Sequence, residues 1–326
     1  MGEYREILSE DLLYIEDIEY LCNGIIKKLR DTVHHQLNRK GGVVGISGGI
    51  DSSVTLALTV KAFGADNVLG VILPETESNS ESEMMAKALA KNYGVKFVVE
   101  EMTGALAGFG CYSRRDRAIA NVITDFNPNT DKSKIVIKQK IDKNIPPVFS
   151  VTVITPDGQE INKMLPLKDY LQIVAASNFK QRSRMSMLYF YAESKYYAVI
   201  GTPNKHEVEQ GFFVKYGDGG ADVMPIASLY KSQVFQIADY LGVPKEIINR
   251  TPTTDTYSAE QTQEEFFFQL PFKTMDLILY GAENEYSIKE IAVAVEKSED
   301  DIKNILRNLE RKRKTTAYLR SNPIYF

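Results

Sequence analysis

An apolar run in this chain breaks abruptly into small residues and then a carboxylate, in the segment Val43-Val44-Gly45-Ile46-Ser47-Gly48-Gly49-Ile50-Asp51-Ser52-Ser53. The residues from Asp51 to Ser53 stand where a helix N-cap belongs, and the apolar residues 54–58 follow them. This order predicts a buried strand, a tight turn and the first turn of a helix. Gly48 and Gly49 have no Cβ, so their backbone can adopt a positive φ and approach a ligand closely.

The predicted turn has the chemistry of a phosphate site. Its free N–H groups, the dipole of the following helix and three serine hydroxyls favour a bound phosphate. Asp51 should repel that phosphate, and a bridging Mg²⁺ removes the conflict, because carboxylate and phosphate oxygens are both hard ligands. No lysine follows the glycines, so the loop is not a Walker A motif.

The following segments predict an α/β fold, a doubly wound parallel sheet. Residues 67–74 read as a buried strand, residues 82–93 as a helix that Gly94 ends, and residues 95–100 as a third strand. Alternating strands and helices of this length form right-handed crossovers covered on both faces. Ligands of such sheets bind at the carboxyl ends of the strands, where the Ser-Gly-Gly turn lies.

Residues 112–165 interrupt this alternation and are predicted to be an insertion. They contain Arg114-Arg115-Asp116-Arg117 and a hairpin in which Pro156-Asp157-Gly158 turns the chain after residues 148–155. We expect the basic residues here to form a solvated face. A long helix is expected over residues 167–195 and two helices from residue 288 onward. The organisation predicted is a single domain, 1–326, with the insertion at 112–165 and a helical C-terminal part at 285–326.

Composition narrows the function classes. The 326 residues are 44% hydrophobic with a formal charge of −4, which argues against a broad basic surface for nucleic acid. Cys22 and Cys111 are far apart and in no metal-binding or disulfide pattern, which favours a reducing compartment. No apolar run approaches 18 residues, so no membrane partner is expected. Together these features predict a cytoplasmic location.

A second polar cluster follows the next predicted strand, residues 197–200. It reads Gly201-Thr202-Pro203-Asn204-Lys205-His206-Glu207, and its position at a strand end places it at the ligand crevice. Beyond it lies a loop with aromatics, a lysine, two aspartates and three glycines, Phe212-Phe213-Val214-Lys215-Tyr216-Gly217-Asp218-Gly219-Gly220-Ala221-Asp222. Such a composition is too poor in core residues for a simple connector.

Three further segments are Asn178-Phe179-Lys180-Gln181-Arg182-Ser183-Arg184-Met185, Leu229-Tyr230-Lys231-Ser232-Gln233 and Leu241-Gly242-Val243-Pro244. With these segments and the motifs above, the chain resembles the ammonia-dependent NAD synthetases. These belong to the N-type ATP pyrophosphatases, or PP-loop family, whose sheet is of the adenine nucleotide alpha hydrolase type. The resemblance covers most of residues 20–315 apart from the insertion. The Gly-Asp-Gly-Gly-Ala-Asp loop is the most diagnostic motif, because thiolating and guanylate-forming relatives share the Ser-Gly-Gly loop.

The resemblance implies roles for particular residues. The implied ATP contacts are Gly45, Ile46, Ser47, Gly48, Gly49, Ile50, Asp51, Ser52, Ser53, Thr202, Lys231 and Thr253. Asp51 and Glu207 would hold Mg²⁺, and with Lys231 they would form the catalytic group. The implied contacts to the dinucleotide substrate are Arg182, Lys215, Asp222, Arg311 and Lys312. His206 is expected to be a neutral packing or surface group rather than a catalytic base.

The implied reaction is amide formation. A carboxylate of deamido-NAD would attack the α phosphate of ATP, and ammonia would then displace AMP to give NAD. No glutaminase module fits in the 40 residues ahead of the loop, so free ammonia, or ammonia from a separate partner, is expected. Related enzymes are symmetric dimers, and the apolar stripe from Ile18 to Val33 predicts an amphipathic helix with a surface for a homodimer.

Some segments depart from the family pattern. Phe266-Phe267-Phe268 replaces Glu-Leu-Gly, Arg311-Lys312 replaces a closing His-Lys pair, and residues 315–326 form an atypical tail. These departures concern the acceptor rather than ATP. They leave open amidation of a different carboxylate, such as a sugar acid. A non-catalytic nucleotide-binding protein is the other alternative, and it is disfavoured by the presence of Asp51, Glu207 and Lys231.

Overall fold

A computed structural model describes residues 5–137, 141–142, 148–252, 257–259 and 261–326 of the chain, without the side chains of residues 265 and 266. Its strands are β1 (Gly42–Gly45), β2 (Val68–Ile72), β3 (Lys96–Val99), β4 (Lys132–Ile137), β5 (Phe149–Ile154), β6 (Glu160–Met164) and β7 (Ala198–Ile200). Its α-helices are α1 (Ile18–Asp31), α2 (Ile50–Phe63), α3 (Ser80–Asn92), α4 (Thr103–Gly108), α5 (Cys111–Ala120), α6 (Leu167–Lys195), α7 (Lys205–Gln210), α8 (Lys231–Tyr240), α9 (Lys245–Ile248), α10 (Phe272–Glu283), α11 (Ile288–Ala294) and α12 (Glu299–Thr315).

The central sheet is parallel in the order β3-β2-β1-β7. The strands β1, β2 and β7 are buried, whereas β3, at the edge of the sheet, is partly exposed. Successive side chains of a strand point to opposite faces of the sheet. Val44 belongs to the core under α2 and α8, while Val43, next to it, packs with Met185 and Leu188 of α6 on the other face. Helices therefore cover both faces, and the predicted α/β parallel sheet is confirmed.

The predicted insertion forms a small antiparallel sheet in the order β4-β5-β6. The β5–β6 hairpin carries the predicted turn, in which Gly158 has φ +85°. This sheet packs on α5 and α6 through a core that includes Ile119, Val151 and Ile173. The long helix predicted for residues 167–195 is confirmed as α6.

One prediction for the insertion was wrong. Arg115 does not lie on a solvated face, because only 6% of it is exposed and its guanidinium pairs with Glu77 and Asp116. A buried guanidinium is stable only when carboxylates neutralise it. Glu77 lies in the loop after β2, so the insertion is tied to the nucleotide-binding half of the fold.

The C-terminal part contains the two predicted helices, α11 and α12. They pack with α10 around a second hydrophobic cluster that includes Phe268, Ile278 and Ile305. After α12 the chain makes a 3-10 turn, Ala317–Arg320. This turn brings the last residues back toward α7.

Candidate active site

The Ser-Gly-Gly turn connects β1 to α2 at the carboxyl edge of the sheet. Gly48 has φ +77°, and a Cβ there would lie 2.5 Å from the Ser82 carbonyl oxygen, so only glycine fits. The hydroxyls of Ser52 and Ser53 donate to the Gly49 carbonyl at 2.9 and 2.8 Å. The turn is thus held in shape by its own side chains, and residues 45–47 and 49–52 line a cavity.

A buried lysine neutralises the loop carboxylate. Lys231 begins α8, is 0% exposed, and its ammonium donates to Asp51 Oδ2 at 2.5 Å. Asn204 Nδ2 donates to the other oxygen of Asp51 at 3.2 Å. These contacts bring together residues that lie 153 and 180 positions apart in the sequence. They point the Asp51 carboxylate toward the loop and the cavity.

Glu207 is held by the first turn of α7. Its carboxylate accepts from Asn204 N at 3.0 Å, while its own N–H donates to Asn204 Oδ1 at 3.2 Å. This is a capping box, which fixes the side chain as well as the helix start. Burial and the charge of Asp51 raise the pKa of Glu207 to about 8, against the opposing charge of Lys231. A cation between Asp51 and Glu207 would relieve this repulsion.

Asp276 of α10 connects the elements that carry Glu207 and Lys231. It is 0% exposed, pairs with Nε2 of the equally buried His206, and accepts from Ser232 N at 2.8 Å and Lys231 N at 3.3 Å. Sequence reasoning missed Asp276. Its one visible signal is a carboxylate inside an apolar helix, since residues 275–279 read Met-Asp-Leu-Ile-Leu. His206 was expected to be a packing or a surface group, and the structure shows it buried, in contact with Asp276.

A cavity of about 630 Å³ lies at the carboxyl ends of β1, β2 and β7. This is the edge of the sheet that the sequence predicted. One group of lining residues consists of the loop residues Gly45, Ile46, Ser47, Gly49, Ile50, Asp51 and Ser52 together with Thr202 and Glu207. A second group consists of Arg182, Lys215, Asp218, Phe212, Phe213 and Phe267, with Thr316, Tyr318 and Leu319 from the C-terminal tail. Hydrogen bonds of Lys215 and the Phe212–Phe267 stack connect members of the second group. We refer to these two groups as the two ends of the cavity.

Other predicted substrate contacts lie apart from the cavity lining. Asp222 accepts from Val199 N at 2.8 Å and from the Tyr189 hydroxyl at 2.9 Å, so it fastens its loop to β7 and α6. Arg311 lines a separate surface depression on α12. Lys312 lies behind the cavity wall, where its ammonium donates to the Phe267 carbonyl at 2.5 Å and burial lowers its pKa to about 8. Thr253 falls outside the described residues.

A buried ion cluster connects α6, which contributes Gln181 and Arg182 to the cavity lining, to the loop after β2. Lys180 of α6, 2% exposed, donates to Glu75 at 2.9 Å and also pairs with Glu77. The Tyr112 hydroxyl donates to the other oxygen of Glu75 at 2.7 Å. Lys180 belongs to the motif that contains Arg182, yet its role was not foreseen, because its carboxylate partners lie over a hundred positions away.

Asp218 is an acidic group that lines the cavity. It accepts from Val214 N at 2.8 Å, which closes the loop that begins at Phe212. Burial raises the pKa of Asp218 to about 6, although this hydrogen bond opposes the shift. The charge of Arg184 also opposes the shift, so a carboxyl with a raised pKa lines the same cavity as Arg182 and Lys215.

Metal clusters and membrane-spanning helices are both absent from the described part of the chain. Within it, no group of three or more His, Cys, Asp or Glu side chains is arranged to hold a metal ion. Among the same residues, no helix combines the length and the apolar character needed to cross a membrane. Four carboxylates of the described residues line the cavity, namely Asp51, Glu83, Glu207 and Asp218, and the charges of Asp51 and Glu207 act on each other.

Comparison with known sequences gives matches along nearly the whole chain. A sequence model of the family described as NAD synthase matches residues 21–127 and 135–323. The NH(3)-dependent NAD(+) synthetase of Rhizobium meliloti (strain 1021) is 44% identical over 322 residues, 98% of this chain and 95% of that protein. The protein of that name from Methanocaldococcus jannaschii is 33% identical over 86% of this chain and 87% of its own.

Solved structures agree in fold. NMN synthetase from Francisella tularensis superposes with a TM-score of 0.65 at 22% identity, covering 95% of this chain and 98% of that one. NH3-dependent NAD synthetase from Campylobacter jejuni gives 0.58 at 22% identity, covering 95% and 96%. At these identities the superpositions establish the architecture and say nothing of the acceptor.

Proposed function

The chain belongs to the NAD synthase family, and we propose that it is an ammonia-dependent ligase that converts deamido-NAD to NAD with ATP, releasing AMP and pyrophosphate. The observation that carries this proposal is that the Ser-Gly-Gly turn, Asp51 and Glu207 line a single cavity, with the buried Lys231 paired to Asp51 behind the lining. A phosphate cradle, a carboxylate pair and a buried ammonium are what nucleotidyl transfer from ATP requires.

The reaction divides into two steps that balance. A carboxylate oxygen of deamido-NAD attacks the α phosphorus, and the bond to the β phosphate breaks to release pyrophosphate. Ammonia then attacks the acyl carbon, loses a proton, and displaces AMP to leave the amide. The protein contributes positioning and charge neutralisation and needs no covalent nucleophile.

We assign ATP to the end of the cavity that the Ser-Gly-Gly turn lines. Residues 45–53 would hold the phosphates, with Thr202 and, outside the described residues, Thr253 as further contacts. Lys231, paired with Asp51, would face the charge that develops on the phosphoryl oxygens. The turn is already ordered by its serine hydroxyls, so it loses little conformational freedom when ATP binds.

We propose Mg²⁺ as the cation of this site, held by Asp51 and Glu207. The residues fit it, because two carboxylates at a cavity with room for phosphates form the donor set that Mg²⁺ takes beside nucleotides. The raised pKa of Glu207 is a second indication: it comes first from burial and then from the charge of Asp51, and a bound cation would offset both. When bound, Mg²⁺ would neutralise charge on the phosphates.

We assign the dinucleotide acceptor to the other end of the cavity. Arg182 and Lys215 supply positive charge there, and aromatic rings supply apolar surface. Arg182 Nε donates to the Lys215 carbonyl at 3.1 Å, so these two basic residues form one unit. Asp222 and Lys312 support this end from behind, through β7 and Phe267 respectively. Arg311 would contact the acceptor only in another arrangement of α12.

Product analysis tests the reaction class. Purified protein with ATP, Mg²⁺, ammonia and deamido-NAD should form AMP, pyrophosphate and NAD in equal amounts, and omission of ammonia should abolish NAD formation. ADP and phosphate as the stoichiometric products would overturn the assignment. If another carboxylate supports AMP formation and deamido-NAD does not, the assignment of the ATP site stands and the acceptor is a different carboxylate.

We further infer a single domain over residues 1–326 that assembles as a homodimer. The apolar face of α1 was expected to serve as the interface, but Ile18, Leu21 and Ile25 pack against the first core of their own chain. Exposed apolar residues at the start of α6, Leu167 at 68% and Leu171 at 54%, lie one turn apart and offer another surface. Light scattering at micromolar concentration should give twice the chain mass, and a monomer mass would contradict the dimer.

A further inference from the structure

The tail segment, residues 316–321, follows α12 and runs along the acceptor end of the cavity. Thr316, Tyr318 and Leu319 line the cavity there, opposite residues of the loop that begins at Phe212. This segment was singled out in the sequence as atypical, and the reaction proposed above assigns it no role. Its contacts show that it is held in place at several points.

The first contact is close packing at the end of α7. Gly211 has φ +73°, and a Cβ there would lie only 2.4 Å from Cβ of Thr316. The Thr316 hydroxyl donates to the Lys312 carbonyl at 2.8 Å. The segment therefore leaves α12 in a fixed direction, against the helix that carries Glu207.

The second contact is Arg320, which lies outside the cavity lining. Its guanidinium donates to the Val208 carbonyl at 3.0 Å and to the Arg313 carbonyl at 2.7 Å. Hydrogen bonds from a charged donor to two separate helices are stronger than neutral ones. Arg320 thus fastens the 3-10 turn to both α7 and α12.

The third contact is Lys215. An ammonium has three donor hydrogens, and three oxygens of the segment lie within its reach: the Tyr318 carbonyl at 2.9 Å, the Ser321 carbonyl at 2.8 Å and the Ser321 hydroxyl at 3.3 Å. In this arrangement Lys215 has no donor left for an anion of the acceptor. Its hydrogen bonds are therefore made to the segment, and it acts on the acceptor by holding this segment and through its charge.

We propose that the tail segment forms one wall of the acceptor subsite and determines which acceptor binds, with Lys215 and Arg320 as its positioning residues. The proposal rests on the proposed function, which places the acceptor at this end. Leu319 and Tyr318 face a cavity end at which Phe212 and Phe267 stack with centroids 4.5 Å apart. Apolar and aromatic walls of this kind suit a flat heteroaromatic ring.

The first experiment removes the anchor without touching the cavity. Arg320→Ala should raise the KM for deamido-NAD by about tenfold, the worth of a hydrogen bond from a charged group, while the KM for ATP stays within about twofold. Arg313→Ala is the matched control, because it removes an exposed arginine and keeps the carbonyl that Arg320 uses. An unchanged KM for deamido-NAD in Arg320→Ala would overturn the proposal.

A double-mutant cycle then separates the two possible roles of Lys215. If Lys215 acts through the tail segment, Lys215→Ala should raise the KM for deamido-NAD in the wild-type background but have a much smaller effect in Arg320→Ala. Fully additive effects would mean that Lys215 contacts the acceptor directly and would contradict its positioning role. Thermal unfolding of each variant identifies any that fail to fold.

Hydrogen exchange gives a readout independent of turnover. Deamido-NAD should slow exchange of the amides of residues 317–321, whereas ATP alone should leave them unchanged. Equal exchange with and without deamido-NAD, in a wild-type protein that turns deamido-NAD over, would refute the wall and leave the proposed function intact. A wild-type protein that forms no AMP with deamido-NAD would instead refute the proposed function.

Discussion

Asp51 and Glu207 come from different elements and reach the same cavity, so each can be tested by an isosteric change. Asp51→Asn and Glu207→Gln remove one charge each while keeping size and hydrogen-bonding atoms. We expect the turnover of each variant to fall by about 10² or more, because the lost charge can no longer hold the cation that neutralises the phosphates.

The control for this pair is Glu209→Gln. Glu209 lies two residues beyond Glu207 on α7 and pairs with Lys205 outside the cavity lining. Steady-state AMP formation at matched Mg²⁺ and circular dichroism should show a loss of turnover without a loss of fold in Asp51→Asn and Glu207→Gln alone. Turnover at the wild-type rate in either of them would place the cation elsewhere.

Asp218 makes stability depend on pH in a predictable direction. Its pKa is raised from 3.8 to about 6 in the folded protein, so the folded state binds more protons than the unfolded state between these values. The resulting stability is fully present below about pH 4 and is lost as the pH rises through 6. Asp218→Asn does not titrate and keeps an acceptor for Val214 N.

The melting temperature of Asp218→Asn relative to wild type should therefore rise from pH 4 to pH 7. The underlying change in free energy is about 1 to 3 kcal/mol, since each unit of pKa shift corresponds to about 1.4 kcal/mol. Thermal unfolding at several pH values measures it. Asp300→Asn, at the exposed start of α12, should give no such slope. A constant difference for Asp218→Asn would contradict the prediction.

At the scale of elements, α7, α8 and α10 are joined through one buried carboxylate. Asp276→Ala would leave His206 and two N–H groups at the start of α8 without an acceptor. We expect a loss of about 3 to 5 kcal/mol in unfolding free energy, the usual cost of breaking a buried pair. Turnover should also fall, because the groups that orient Glu207 and Lys231 lose their common support.

Denaturant unfolding and AMP formation measure the two effects of Asp276→Ala. Asp239→Ala is the control on α8 itself, because the Asp239–Lys245 pair is exposed and contributes little. A stability loss in Asp276→Ala no larger than that of Asp239→Ala would show that the three helices do not depend on this carboxylate.

The elements themselves were largely predictable from local patterns. The β1–α2 turn, α6 and the β5–β6 hairpin carry glycines, caps and periodicity within a few residues of each other, and these local signals fix their type. The buried pairs of Arg115 with Glu77, of Lys180 with Glu75 and of Asp276 with α7 and α8 were not predictable, because these partners lie 38, 105 and 44 to 70 positions away. A buried charge is recognised only when the fold brings its partner to it.

The difference between local signals and distant partners also explains which residues of the candidate site were predictable. Thr202 follows β7, and Asp51 and Glu207 lie in the first turns of α2 and α7, the helices that follow β1 and β7, so the parallel sheet alone brings them to one edge. Asp222 and Arg311 were placed in the site by resemblance, with no local geometry to support them. The structure puts Asp222 in contact with β7 and α6, and Arg311 in a separate depression.

At the scale of the whole molecule, two parts of the chain line the cavity. The first is the turn between β1 and α2, and the second is the loop after α7 together with the C-terminal tail. ATP should depend on the first and the acceptor on the second. Arg182, on α6, lines the second part and distinguishes the two dependences. Arg182→Ala should raise the KM for deamido-NAD or lower kcat/KM about tenfold, because it removes one hydrogen bond from a charged group, and it should have little effect on ATP binding.

Lys195→Ala, an exposed change at the far end of the same helix, is the matched control and should leave both constants unchanged. The measurement is steady-state kinetics with each substrate varied in turn, in a screen that also includes other carboxylates. Deamido-NAD should be the preferred acceptor, and Arg182→Ala should impair it selectively. If Arg182→Ala instead raised the KM for ATP and left the KM for deamido-NAD unchanged, the assignments of ATP and the acceptor to the two ends of the cavity would have to be exchanged. The wall formed by the tail would then lie over the nucleotide.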